Sequence, residues 1–464
     1  MNNVKLLING RTKGLHIYIS IDNLDEIIKD EERRFGEVKR SLKLLDSFFV
    51  SIRRQVSKQG AYPGMHIEKV TGNRMHLYIE RENADQQTCM KELLRIAAFS
   101  YRTIAALNKN PKLESIKSAV IRIGADYGWF YCMSLKDIGR QIDEETSAGF
   151  AANYACKLQI IARNGSLALS EDDYPYLPST VKGDFVLSHD TKISKYHPDK
   201  SDRYYKASLS VLADRISKEG LLDFAEDDAN DFANKLNLGE MRYRKALSRI
   251  NLDSITEQES VKFYGAVIMA DIRNFTGQFK DDDSNLAAMT QRARSALSAM
   301  IEAVLKNGGT HVQVQGDKEV AIFPADPSSK DGETLKAVVI SALSMMDAVR
   351  KADLDLGVGI SLGYAYASRI DTRGIKDPVI LGSTVTEADE LEDEQAKSGE
   401  IVISKDLYDA LGCYEESRYL QKYFKQHNSC FVTSLGLKSI MDQEEVERLK
   451  KDESQRKYYG AYLR

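Results

Sequence analysis

A chain of 464 residues exceeds the roughly 100 to 200 of one domain, so two or three domains are expected, each large enough to bury its own core. Lys and Arg number 65 against 69 Asp and Glu, a formal charge of -4, which argues against a nucleic-acid channel, a general polyanion binder or a membrane-surface protein. Five cysteines without a CxxC pair indicate neither a disulfide framework nor a zinc site, and with no signal-peptide pattern and no run near the roughly 20 apolar residues of a bilayer span, a soluble, cytoplasmic protein is expected.

In chain order, an apolar run at 15–19 leads through Ser20 into a helix start at Leu24, the pattern of a buried strand followed by a charged helix. Residues 66–78 alternate about Gly72-Asn73, the mark of a tight hairpin. A helix follows, then a strand at 121–128 expected to end in a glycine turn, then a helix through Asn153 and Lys157 closed by Asn164-Gly165. Residues 186–258 are rich in charge, with Leu209, Leu212, Ile216 and Leu221 at helical spacing, and read as a helical connector.

The same order then recurs. Residues 266–270 lead into Asp271-Ile272-Arg273-Asn274-Phe275-Thr276, residues 311–323 alternate about Gly316-Asp317, 356–363 repeat the strand, and 382–391 the last helix. Four landmarks in one order imply an internal duplication. Strand, helix, hairpin, helix, strand is a ferredoxin-like βαββαβ order, so the expectation is α+β, two related domains at 1–185 and 259–440 packed as a pseudo-dimer. A charged, exposed helix is expected over 441–464.

Asp271 falls where a buried strand ends and Asp317 at the tip of the adjacent hairpin, so the fold brings two carboxylates to one sheet edge. Alone, a Gly-Asp turn is usually only a turn and a strand-end aspartate only a cap. Together they suit Mg²⁺ with substrate phosphates, and a pair of ions can deprotonate an attacking hydroxyl and stabilise a leaving pyrophosphate. The main-chain amides of Asn274, Phe275 and Thr276, at a helix start, could cradle a triphosphate.

These residues resemble the class III adenylate and guanylate cyclase homology domain, strongly over 259–415 and more weakly over 1–185. The resemblance implies an active site between two such domains, with two Mg²⁺ or Mn²⁺ ions on Asp271, Ile272 and Asp317. It implies that Asn153 orients the ribose and that Lys157, where the family usually has Arg, steadies the transition state; Lys keeps the charge and loses bidentate geometry. The copies divide these roles. Ser20 and Asn73 stand at the metal positions of the first copy, and Thr386 and Glu390 at the ribose and transition-state positions of the second, so one complete site is expected of two.

The base-reading positions map to Lys69 and Thr146, with Gln313 and Val379 in the other copy. A lysine donor beside a threonine acceptor suits an amine next to an acceptor nitrogen, which adenine and cytosine both present. The Lys and Thr pair resembles adenylate cyclases, while a tandem with one degenerate copy resembles the pyrimidine cyclases of bacterial anti-phage Pycsar systems. The architecture favours CTP and cyclic CMP, with ATP and cyclic AMP as the alternative and a non-catalytic nucleotide-binding pseudocyclase as the rival class. A diguanylate cyclase would need Gly-Gly-Asp-Glu-Phe where residues 315–319 read Gln-Gly-Asp-Lys-Glu. His16, His66, His76 and His311 lie in alternating strands without metal-ligand spacing and read as sheet residues, and Lys192 and Lys195 are candidates for the γ-phosphate.

Overall fold

Two long strands, β1 (Val4–Ile21) and β10 (Val261–Arg273), open the two halves. Because successive strand side chains point to opposite faces, Leu15, Ile17, Ile19 and Ile21 join one core with the helices Leu24–Phe35, Lys39–Ser57 and Gln86–Asn108, while His16, Tyr18 and Ser20 face the other way. In β10, Ala266, Ile268, Ala270 and Ile272 pack on the helices Asp283–Lys306 and Gly332–Lys351, and Val267 and Met269 lie on the opposite face, the one that also carries Asp271. The computed structural model describes residues 4–58, 62, 64–80, 85–114, 116–137, 142–191, 193, 201–220, 230, 242–243, 250–256, 259–273, 283–326, 332–371, 376–444 and 448. Among them no helix is long and apolar enough to cross a membrane.

In the first half β2 (Met65–Thr71) and β3 (Arg74–Glu80) form the hairpin about Gly72, whose φ of 57° suits glycine. β4 (Ile121–Asp137), β5 (Ile142–Ala148) and β6 (Ser166–Ser170) follow. With β7 (Val186–His189) and β8 (Arg203–Ser208) the sheet order is β2-β3-β1-β4-β6-β8-β7, and β5 pairs with β4. The second half repeats it: β11 (Thr310–Gln315), β12 (Lys318–Ala325), β13 (Asp355–Asp371), β14 (Lys376–Leu381), β15 (Glu400–Ile403), β16 (Lys425–His427) and β17 (Cys430–Thr433) give β11-β12-β10-β13-β15-β17-β16, with β14 on β13. A two-residue strand, β9 (Arg242–Tyr243), pairs with β10. Four strands at one end of each sheet, β2-β3-β1-β4 and β11-β12-β10-β13, have the ferredoxin-like order, and the duplication extends past them to the last strands.

Two expectations are corrected. The strand at 121–128 does not end in a glycine turn; β4 runs on to Asp137 and β13 to Asp371. Gly124 and Gly359 sit inside these strands because a helix lies directly on the backbone there. A Cβ on Gly124 would stand 2.0 Å from Gln159 N, and one on Gly359 2.3 Å from Ala388 O. The stretch 186–258 is also not wholly helical: β7 and β8 extend the first sheet before the helix Leu209–Lys218, which shares the first core through Leu209, Leu212 and Ile216. Leu221 and most of 221–249 lie outside the described residues. Of the expected C-terminal helix, 441–444 and 448 are described, and they are helical.

The halves meet reciprocally. β14 packs against β2 and β5 against β11, and Tyr366, Ile370, Val379 and Leu381 enter the core of the first half. Polar bonds cross as well: Val70 N–H donates to Asp377 Oδ2 at 3.0 Å, and Lys262 Nζ and Tyr366 OH both donate to Gly36 O, at 3.0 and 3.2 Å.

Candidate active site

At the end of β10 the main chain ties the two candidate aspartates together, since Ile272 N–H donates to Asp317 O across 3.4 Å. The first half has the same bond, Ile21 N–H to Asn73 O at 3.3 Å. The backbone frame is therefore shared, and only the side chains distinguish a carboxylate pair from Ser20 and Asn73.

Asp271 lies opposite Gly357 of β13 and Lys318 of β12. The missing side chain at Gly357 makes room for the Arg273 guanidinium, which a Cβ there would meet at 2.1 Å. Arg273 spans the site: Nη1 stands 3.5 Å from Asp271 Oδ2, Nη2 stands 2.7 Å from Glu392 Oε1, and Nη2 also donates to Ala396 O at 3.0 Å. Lys318 pairs with Asp389 at 2.8 Å and with Glu392.

Carboxylates outnumber what these cations can offset. Burial and then repulsion from Asp317 push Asp271 up to about 7, against the pull of Lys318, Arg273 and Lys157. Burial pushes Asp317 up to about 6, opposed by Lys157 and Lys318. Burial likewise carries Glu392 to about 7, with Lys318 pulling down and Asp271 pushing up. Asp389 is held below the usual carboxylate range in spite of burial, by Lys318 first and then Arg74 and Lys157.

Lys157 comes from the other half. It lies on the helix Phe150–Ile161, where Asn153, Cys156, Lys157 and Ile160 form one half-exposed face while Ala151, Ala152, Tyr154, Ala155, Leu158 and Gln159 are buried. Asn153 stands one turn before Lys157 on that face. Arg74, at the start of β3, donates from Nη1 to Cys156 Sγ at 3.2 Å, beside Lys157. Lys157 is thus near enough for its charge to act on Asp271 and Asp317 of the other half.

The degenerate counterpart is filled. Opposite Ser20 stands Arg122, where the second half has Gly357. Its guanidinium donates to Ser20 Oγ at 3.3 Å and Ile160 O at 3.2 Å and pairs with Asp22 at 3.0 Å, while Gln159 Nε2 donates to Ser20 Oγ at 2.5 Å. The helix Ser383–Glu390 is covered by the helix Leu24–Phe35: Thr386 Oγ1 donates to Asp25 Oδ1 at 3.0 Å, Lys29 pairs with Glu390 at 3.3 Å, and Ser383 N–H donates to Glu32 Oε2 at 3.2 Å.

Among the described residues no three His, Cys, Asp or Glu side chains converge as a complete metal cage. Two half-buried carboxylates, both raised first by desolvation and Asp271 also by the charge of Asp317, are nonetheless a hard-oxygen donor set, which fits Mg²⁺ or Mn²⁺ completed by phosphate and water. Lys69 is buried in β2, and its Nζ donates to Val314 O of the other half at 2.7 Å. Thr146 lies in β5 opposite Met133; its side chain is outside the described residues, as are Asn274, Phe275, Thr276, Lys192 and Lys195. Gln313 and Val379 are both buried. Sequence reasoning missed Arg273, Lys318, Asp389, Glu392 and Arg74. Only Lys318 carried a signal, its place beside Asp317.

The architecture is a class III nucleotidyl cyclase-like fold. It matches the crystal structure of a class III adenylyl cyclase-like ATP-binding protein from Pseudomonas aeruginosa with a TM-score of 0.71 at 17% identity, over 93% of this chain and 90% of that one. In sequence the chain is 22% identical over 430 residues to a uridylate cyclase of Pseudomonas aeruginosa, covering 86% of this chain and 78% of the relative. No family model matches.

Proposed function

We propose that the chain is a nucleotidyl cyclase with one working site, converting a pyrimidine nucleoside triphosphate, CTP in the first instance, to its 3′,5′-cyclic monophosphate and pyrophosphate. The observation that carries the reading is the asymmetry between the half-sites. Asp271 and Asp317 face Lys157 across the interface, whereas Ser20 and Glu390 are occupied by Arg122, Gln159 and Lys29.

Asp271 and Asp317, with the Ile272 main chain between them, would hold the two Mg²⁺ or Mn²⁺ ions. Such ions, when bound, neutralise phosphate charge and lower the pKa of the ribose 3′-hydroxyl. Asn153 orients the ribose so that the 3′-oxygen lies in line with the α-phosphorus. Lys157 offsets charge on the α-phosphate as the new O–P bond forms and the bond to pyrophosphate breaks. Arg273 and Lys318 keep Glu392 and Asp389 from adding uncompensated charge to the pocket. Lys69 and Thr146 would read the base, and Asn274, Phe275 and Thr276 would cradle the triphosphate.

CTP follows from a donor and an acceptor facing an amine beside a ring nitrogen, joined to the tandem architecture. The uridylate cyclase relative favours UTP as a second reading, and the structural match to an ATP-binding protein supports ATP as a third. The product would serve as a second messenger in anti-phage defence.

Incubation of purified protein with each of the four ribonucleoside triphosphates and Mg²⁺ or Mn²⁺, with products separated by mass, is the test. A cyclic nucleotide is expected from wild type and none from Asp271→Ala or Asp317→Ala. Asn153→Ala is expected to lower kcat by about 10² to 10³. Wild-type turnover by either aspartate variant would overturn the site; nucleotide binding without product would leave a pseudocyclase.

A further inference from the structure

We propose that Glu68 is a positioning residue for base selection, clamping the strand that carries Lys69 to the strand that carries Thr146. The inference deepens the cyclase reading and rests on it.

The pairing of β2 with β3 slips between Ile67 and Lys69, so Glu68 is the extra residue of a β-bulge. A bulge re-aims the side chain it carries, and Glu68, 3% exposed, turns toward β5. Its Oε1 accepts from Ser147 N at 3.0 Å and its Oε2 from Ser147 Oγ at 2.5 Å. One carboxylate thus holds both donors of the residue that follows Thr146, while the residue after Glu68 is Lys69. The two candidate base readers are consecutive in sequence with the two ends of one clamp.

The clamp is itself braced. Glu68 Oε2 lies 3.1 Å from His76 Nδ1, His76 Nε2 lies 2.9 Å from His16 Nδ1, and the Tyr18 ring stacks on His76 at 4.1 Å with planes 9° apart. In spite of burial, His76 and then Lys69 hold the Glu68 carboxyl far below the usual range, so it is an anion able to accept every one of these bonds. The second half has a bulge at the matching place, between His311 and Gln313, but the residue there is Val312, packed in an apolar cluster. The clamp therefore accompanies only the copy assigned to read the base.

The test uses the full chain and the 3′-deoxy triphosphates of all four bases, which lack the attacking hydroxyl, so that binding is read apart from turnover. Wild type is expected to prefer one base. Glu68→Gln cannot accept from both Ser147 donors and His76, and Ser147→Ala removes only the hydroxyl. Both are expected to shrink the preference for the best base over the next, Glu68→Gln by tenfold or more. With the ordinary triphosphates the loss falls on KM, with kcat changed little. The double variant is expected to lose no more selectivity than Glu68→Gln alone, because both changes cut one clamp. Unchanged selectivity in a folded Glu68→Gln, or in Ser147→Ala should the former fail to fold, overturns the proposal alone. Absence of nucleotide binding by wild type overturns the cyclase reading, and this one with it.

Discussion

Asp271, Asp317 and Glu392 come from a strand end, a hairpin tip and the helical turn Leu391–Gln395, and burial there raises all three above the ordinary carboxylate value. The aspartates were legible as a motif because each sits in a local pattern, an apolar run or a glycine turn. Glu392 was not, since nothing around it in sequence says that Arg273 and Lys318 will reach it. The histidines read as sheet residues do lie in the sheets, and His16 makes a prediction of its own. Burial, with the His76 charge adding, drives its pKa well below the ordinary histidine value, so the folded protein keeps it neutral. Above about pH 6.5 neither state binds the proton; below it the unfolded chain does and the folded chain does not, so stability decreases as the pH is lowered. One pH unit below that point costs about 1.4 kcal/mol, or roughly 1 to 2 °C in Tm for a chain of this length. Thermal melts from pH 7.5 to 5.5 should show this decline, and His16→Gln should flatten it; an equal slope in the variant would remove His16 from the account.

Helix Phe150–Ile161 owes its place to a glycine in the strand beneath it. A Cβ at Gly124 would stand 2.3 Å from Ala155 O as well as against Gln159 N, and both are backbone atoms that cannot step aside. Gly124→Ala should therefore lift the helix that carries Asn153 and Lys157, costing about 1 to 3 kcal/mol of stability and lowering kcat in whatever protein folds. Gly183→Ala is the control, as nothing lies within 4 Å of a Cβ there and its φ is negative. Melting temperature and turnover measured on both would decide the point, and a Gly124→Ala enzyme with wild-type kcat would show that the helix does not need this contact. The sequence reading gave this mid-strand glycine no role of its own, because glycine marks turns and close approaches alike, and only the helix overhead tells them apart.

The whole molecule is a pseudo-symmetric pair in which one of two equivalent clefts has become an interface. Asp25, Lys29 and Glu32 of the first half occupy the helix where a ribose would otherwise be held, and Arg122 lies where the second half keeps Gly357. Both parts of the remaining site lie on one chain, so a single copy should work. Specific activity is expected to be independent of protein concentration, and a mixture of Asp271→Asn and Lys157→Ala chains is expected to stay inactive. Recovery of activity on mixing would mean that the site forms between chains.

By itself the amino-acid order determined the duplication, the hairpins and the strands that carry the aspartates, because alternation, turn glycines and helix starts are written in neighbouring residues. Only the tertiary structure decided that Lys69 bonds to Val314, that Arg273 rests on Gly357, and that the second cleft is closed. Those contacts join residues that lie far apart in the chain. Their geometry depends on how the two halves dock, β14 on β2 and β5 on β11, which no local pattern records.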